Sequence, residues 1–406
     1  MLAFGGIGLN EATMGVAFPK VRETFDLPID RLGLLLLPGT VGYLLVAAAQ
    51  ARARRPWPVG WSLIGAAALA AAGAATYALS PVFGVMLAGS FLLGVSAAGV
   101  DTTLNNYVSR HLESRVLAFM HGGFGVGAMA GPFVATAVLQ AGWSWRWAYV
   151  VFAGYQAALV AGWLATRHRL VTAATAATAS PAADAALVAF EGDVAALPPE
   201  DAAVAAGGAA AARFGVILPL NVAMFFVYTG TEASTGLLLP TLLADRGIAE
   251  ATAGLLTTGF WAALTAGRFA AGFLGRRVAP GQLLAGASIG CAAGMAGVAF
   301  GQGFVAGGAG VVVGLALAPV FPSLVAMTPG RVGAARTHVA IAYQLAAASA
   351  GVAAVPAVIG VIAGRRGPVV IGPCLLVAAL VLAGLHVVTA SVAGDLRTVA
   401  APPTSV

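Results

Sequence analysis

Gly8 to Pro19 reads GLNEATMGVAFP, and Gly230 to Pro240 reads GTEASTGLLLP. In each stretch a glutamate in an apolar, glycine-punctuated run is followed by Gly four residues on and by Pro eight residues on: Glu11, Gly15, Pro19 and Glu232, Gly236, Pro240. A single match would carry little weight. Two copies about 220 residues apart, each opening a half of the chain with six apolar segments, indicate an internal duplication.

The composition places that duplication in a bilayer. The chain of 406 residues is 60% hydrophobic and 9% charged, with mean hydropathy +0.91, whereas a soluble globule carries about 25% charge. The apolar runs are long and continuous rather than alternating in period two, which selects helices over a barrel as the way to satisfy every backbone group in lipid. Twelve membrane-spanning helices are predicted, at 2–19, 32–51, 59–79, 82–109, 115–140, 146–166, 214–240, 251–274, 281–300, 303–328, 335–363 and 369–392. The fold class is therefore all-α, two pseudo-symmetric six-helix halves: 1–170, and 213–392. Between them, 171–212 is rich in Ala and Thr with few large apolar side chains, and reads as a flexible cytoplasmic linker or, alternatively, a regulatory docking segment. The tail 393–406 reads as disordered.

The loops after the second, fourth, sixth, eighth and tenth spans, with the tail, hold fourteen of the 21 basic residues, and the opposite side holds seven. That bias puts both termini in the cytoplasm, at the plasma (inner) membrane. It also accounts for the basic balance without nucleic acid. Cys291 and Cys374 fall inside apolar runs and read as packing residues. The first run carries Glu11 and lacks a basic n-region, so it is no cleavable signal; its shortness leaves room for residues ahead of Met1.

Only three acids fall within the predicted spans, Glu11, Asp101 and Glu232, and no base is placed deep in a span to pair with them. An ionised carboxylate at a helix centre costs about 2.5–3.5 kcal/mol on insertion, so these three should face a cavity or carry a proton. For each of them the alternative is a hydrogen bond to a neighbouring helix. Asp101 is accompanied on its helical face by Asn105, with Asn106 and Tyr107 adjacent. Aligning Gly94 with Gly314 sets Phe321 at the position of Asp101 in the second half, so ionisable groups lie mainly in the first. His121 precedes the small-residue stretch HGGFGVGAMAGP, and Tyr343 and Gln344 precede a similar one in the eleventh span. His121 is open to three readings: an interhelical hydrogen-bond donor, a substrate contact, or a proton partner of Asp101. Scattered histidines without ligand spacing give no metal site, and no cofactor or enzymatic nucleophile is expected.

The stretch GRFAAGFLGRR, from Gly267 to Arg277, is expected as a loop and resembles the G-x-L-a-D-R-x-G-R-[KR] cytoplasmic loop of the major facilitator superfamily. The first-half counterpart, QARARRP, keeps the arginines and lacks the Gly and Asp. NEATMG, VDTTLNNYV, HGGFGVGAMAGP, YTGTEASTG and FWAALTAGR resemble the fucose-permease-related branch. That resemblance implies a monomeric transporter of a small polar, sugar-like solute, coupled to protons through Glu11 and Asp101. Glu232 is a third candidate for coupling. The substrate contacts would come from Asn10, Glu11, Asp101, Asn105, His121, Tyr228, Glu232, Trp261, Tyr343 and Gln344, and a cytoplasmic gate from Gly267, Arg268, Arg276 and Arg277. The stretch at Gly127, Gly131 and Pro132 resembles part of the antiporter signature of drug exporters, which keeps proton-coupled efflux as the alternative; a non-transporting receptor on the same fold is the remote one. With Arg167, Arg169 and Arg213 flanking 171–212, cysteines placed in that segment should react with an impermeant thiol reagent only after the membrane is opened. Labelling from outside intact cells would reverse the orientation.

Overall fold

The computed structural model describes residues 1–52, 58–111, 114–178, 200–274, 277–333 and 336–394. In chain order the helices of the first half are α1 Leu2–Phe25, α2 Arg31–Arg52, α3 Val59–Leu79, α4 Phe83–His111, α5 Ser114–Gln140 and α6 Arg146–Thr178. Those of the second are α7 Glu200–Asp245, α8 Glu250–Leu274, α9 Pro280–Phe300, α10 Gly303–Leu317, α11 Val320–Val332, α12 Thr337–Arg366 and α13 Ile371–Ala393. The tenth span is thus two helices. It breaks at Ala318 and Pro319, where the proline lacks the N–H that would carry the helix ladder through. The segment expected as a linker, 171–212, enters as the last turns of α6 and the first of α7, and 179–199 lie outside the described residues, as do 395–406 of the tail.

The duplication seen in the motif is repeated in the packing. In the first half α1 packs on α5, α2 on α4, and α3 on α4 and α6; in the second α7 packs on α12, α8 on α10, and α9 on α10 and α13. The Gly94 and Gly314 alignment marks the same crossing twice. A Cβ on Gly94 would lie 1.8 Å from the Gly39 carbonyl oxygen of α2, and one on Gly314 would lie 2.2 Å from the Phe260 carbonyl oxygen of α8. Neither crossing tolerates a side chain, so both spans are held backbone to backbone.

Among the described residues ten helical segments are long and apolar enough to cross a membrane. Helices α1 and α8 fall short of that measure, because α1 carries Asn10, Glu11, Lys20, Arg22 and Glu23, and α8 carries four threonines with Glu250 and Arg268. They are held by their neighbours, α1 by α5 and α7, α8 by α5 and α10. The least apolar helices are the ones that line the junction between the halves.

Two of the basic residues that run against the charge bias have local work. Arg146 donates to the Ala78 carbonyl at 3.1 Å and to Ser80 Oγ at 3.3 Å, with its guanidinium 4.8 Å from the Trp145 ring. Arg246 donates to the carbonyls of Val298, Ala299 and Gly301 at 2.7, 2.7 and 2.8 Å. Each guanidinium meets carbonyls left open at the end of matched helices, α3 and α9, although the two arginines come from different loops. Arg246→Ala should cost about 2 kcal/mol, as expected for losing charge-assisted bonds to a helix end, and lower the unfolding midpoint in detergent by several degrees. An unchanged midpoint would show that water replaces the guanidinium at no cost.

Candidate functional site

The two halves meet through α1 with α7, α2 with α12 and α5 with α8. At the first of these contacts the repeated motif acquires its physical reason. A Cβ on Gly15 would sit 2.2 Å from the Gly236 carbonyl oxygen, so the motif glycines of the two halves touch each other. Glu11 and Glu232 lie one turn before those glycines, and the crossing brings both acids to the junction. Beyond it, at the end remote from the termini, a cavity of about 180 Å³ is lined by Val16, Pro19, Lys20, Thr136, Pro240 and Glu250. Lys20 bridges the halves there at 3.0 Å from Glu250.

Glu11 is exposed, although every residue of α1 from Ala12 to Phe18 is buried. Its carboxylate is electrostatically coupled to Glu232, Asp101 and Arg268, which come from α7, α4 and α8. An exposed acid among such neighbours faces a cleft between the halves, and among the described residues it makes no hydrogen bond or ion pair. Asn10 beside it has a buried side-chain oxygen with no partner among the described residues.

Glu232 is placed differently. Arg268 Nη2 donates to its two carboxylate oxygens at 3.0 and 2.9 Å and also lies 3.2 Å from the Tyr228 hydroxyl. Tyr228, one turn earlier on α7 and fully buried, donates to the same carboxylate. This corrects two expectations. Residues 267–274 continue α8 rather than forming a loop, and Arg268 is a base within a span, paired with an intramembrane acid. A continuous helix carries Arg268 inward, and pairing removes much of the cost of burying either charge. Gly267 beside it presses on α10, where a Cβ would meet Ala318 at 2.6 Å. Arg277 lies exposed at the turn into α9, and Arg276 lies outside the described residues.

Asp101 accepts the Tyr43 O–H at 2.5 Å and the Asn105 amide at 2.7 Å. Tyr43 belongs to α2 and was not singled out from the sequence; a hydroxyl inside the run GTVGYLLVAAA was its one signal. Of the remaining candidates, Trp261 is buried with its indole N–H unpartnered among the described residues. It stands edge-on to Phe124 at 6.5 Å and abuts Gly236, so it joins α5, α7 and α8 at the junction. Tyr343 is exposed, whereas Gln344 is fully buried and engages Thr328 of α11 at 3.1 Å. The Gln344 amide is spent inside the second half. Phe321, the counterpart of Asp101, lies 6.3 Å from the Tyr228 ring. The backbone of His121 is in α5, and its side chain lies outside the described residues.

A pseudo-symmetric bundle of twelve spans with charged groups where its halves meet defines a secondary transporter. The sequence pattern of the Major Facilitator Superfamily matches residues 1–220, and the chain belongs to that family. Among solved structures it resembles a nucleoside transporter (13% identity, 96% of this chain and 98% of that one, TM-score 0.71). It also resembles a D-xylose–proton symporter (16%, 94% and 95%, TM-score 0.69) and the E. coli fucose–proton symporter (16%, 96% and 96%, TM-score 0.57). No curated protein matches it in sequence.

The Glu232 and Arg268 pair makes a specific demand. Arg268→Ala leaves a buried carboxylate without its cation and should destabilise the folded protein by about 3–5 kcal/mol. The double variant Arg268→Ala with Glu232→Gln should recover most of that loss in a thermal-unfolding assay. A double variant no more stable than Arg268→Ala would show that the pair is not what neutralises Glu232.

Proposed function

We propose that this transporter moves a small polar organic solute, of the sugar-like class, together with protons, by rocking of its two halves about the junction. The observation that carries the reading is a charge imbalance. Around Glu11 three carboxylates are coupled to one guanidinium, and Glu232 is the carboxylate that the guanidinium pairs with. When the cleft closes and water leaves, the charge of Glu11, which no described residue pairs, becomes costly unless a proton is taken up within this group of acids. Asp101 fits the coupling role, since Tyr43 and Asn105 donate to it from two helices. Glu11, open to the cleft, fits contact with solute hydroxyls and a share in the coupling.

The unpartnered Asn10 oxygen and Trp261 indole N–H supply an acceptor and a donor whose burial is repaid by a ligand. Tyr343, exposed on α12, adds an aromatic face, and Tyr228 acts through Glu232. The Gly127 to Pro132 stretch that resembles an antiporter signature is absorbed by packing within the first half: a Cβ on Gly127 would meet the Gly5 carbonyl oxygen at 1.8 Å. It favours neither direction of transport. An even number of spans returns both termini to one side, and the arginine distribution favours the cytoplasm for that side; a monomer at the plasma (inner) membrane is the reading that goes with the family resemblance.

The test uses purified protein in proteoliposomes with a panel of radiolabelled monosaccharides, nucleosides and dipeptides. Asp101→Asn keeps the shape and hydrogen-bonding capacity of the protonated acid. It should lose accumulation driven by an inward proton gradient while retaining exchange of labelled for unlabelled solute. Gradient-driven accumulation at the wild-type level in Asp101→Asn would overturn the assignment.

A further inference from the structure

At the end remote from the termini the halves touch in contacts of two kinds. Gly15 meets Gly236 backbone to backbone, and on another flank a Cβ on Gly33 of α2 would lie 2.3 Å from the Ala357 Cβ of α12. These are packing contacts. The other kind is ionic: Lys20, near the far end of α1, stands 3.0 Å from Glu250, the first residue of α8. Beside that bridge lies the cavity of about 180 Å³ walled by Val16, Pro19, Thr136 and Pro240. The halves are not close-packed there, so charge rather than packing spans the gap. Lys20 also has a second acid. Glu23, one turn further along α1, lies 3.1 Å from the same ammonium. The side chains of both acids are exposed, Glu250 at 55% and Glu23 at 63%, and solvent-exposed bridges of this kind are weak enough to break and remake.

We propose that Lys20 is the gating residue of this end: paired with Glu250 it latches the halves together, and when they part it is kept by Glu23. The inference rests on the rocking of the halves proposed above. Water reaches Glu11 while every residue of α1 from Ala12 to Phe18 is buried, so the cleft opens toward the termini and the latched end is the closed one. To open that end α1 and α8 must separate, and Glu250 leaves with the second half. Glu23 stays, because it rides on α1 with Lys20. The ammonium then has a partner in both states, and release does not strand a bare charge. Lys20 is the one lysine among 21 basic residues. A compact ammonium on a flexible stem can turn between two carboxylates, whereas a guanidinium fork holds one in fixed geometry. The two acids therefore act in opposite directions on the same lysine. Glu250 favours the closed end; Glu23 draws the ammonium away from Glu250 and supports it once the end is open.

The test reads the distance between nitroxides at Val82→Cys, between α3 and α4, and Phe304→Cys, in the first turn of α10, both exposed at this end. Cys291 and Cys374 are replaced by alanine, and the protein is held in lipid nanodiscs. The wild-type sequence should show a short and a long distance. Lys20→Gln and Glu250→Gln should each raise the long-to-short ratio by about two- to fivefold, and Glu23→Gln should lower it by a similar factor. Raising the salt from about 0.05 M to about 1 M should raise the ratio in the wild type and leave Lys20→Gln unmoved, a response that a packing contact does not give. Two distances whose ratio is unaltered in Glu250→Gln would overturn the latch and leave the rocking standing. A ratio that rises in Glu23→Gln would overturn the exchange of partners. A single distance in every variant and at both salt concentrations would remove the rocking and the latch together. Should Lys20→Gln fail to fold, the variants of the two exposed acids still report the two opposite directions.

Discussion

Where Gly15 meets Gly236, two backbones from opposite halves touch with no room for a side chain. Such an approach is available to glycine alone among the residues, and it fixes the depth at which α1 and α7 cross. Because each motif glutamate stands one turn before its glycine, the crossing also fixes where Glu11 and Glu232 lie. The acids are a consequence of the packing, and the packing is a consequence of the duplicated motif.

From that point the two halves part ways. In the second, Arg268 and Tyr228 hold Glu232, and Phe321 closes the wall beside them. In the first, Glu11 stands exposed and Asp101 sits in a hydrogen-bonded frame drawn from α2 and α4. One half thus pairs its motif acid with a base, and the other leaves its motif acid, Glu11, unpaired among the described residues. A common scaffold with divided electrostatics is what the proposed proton coupling requires, one side anchoring and the other responding.

The sequence made most of this architecture legible because bilayer burial is a local constraint that each span must satisfy along its own length. The duplication was legible because Gly15 and Gly236 must both be glycine. The break at Pro319 falls inside a span read as one helix, 303–328, because hydropathy registers apolar length and not the proline's missing N–H. What stayed hidden were pairings between helices. The resemblance of GRFAAGFLGRR to a cytoplasmic loop motif places Arg268 in a loop, and nothing along the chain links it to Glu232, 36 residues away. Tyr43 and Asp101 are separated by 58 residues. Arg146 and Arg246 ran against the charge bias for the same reason, since the carbonyls they serve are on distant helices. Partner choice of this kind is set by packing, which periodicity does not report.

The measurement that bears most directly on the account is the proton movement that accompanies solute entry. Wild-type protein in proteoliposomes loaded with a pH-sensitive dye, at zero membrane voltage and with no initial pH gradient, would be offered each solute of the panel in turn. For the solute that is transported, the lumen should acidify as the solute enters, at a rate that follows solute influx. Solute influx with an unchanged lumenal pH, or with the lumen turning alkaline, would contradict proton symport by this protein.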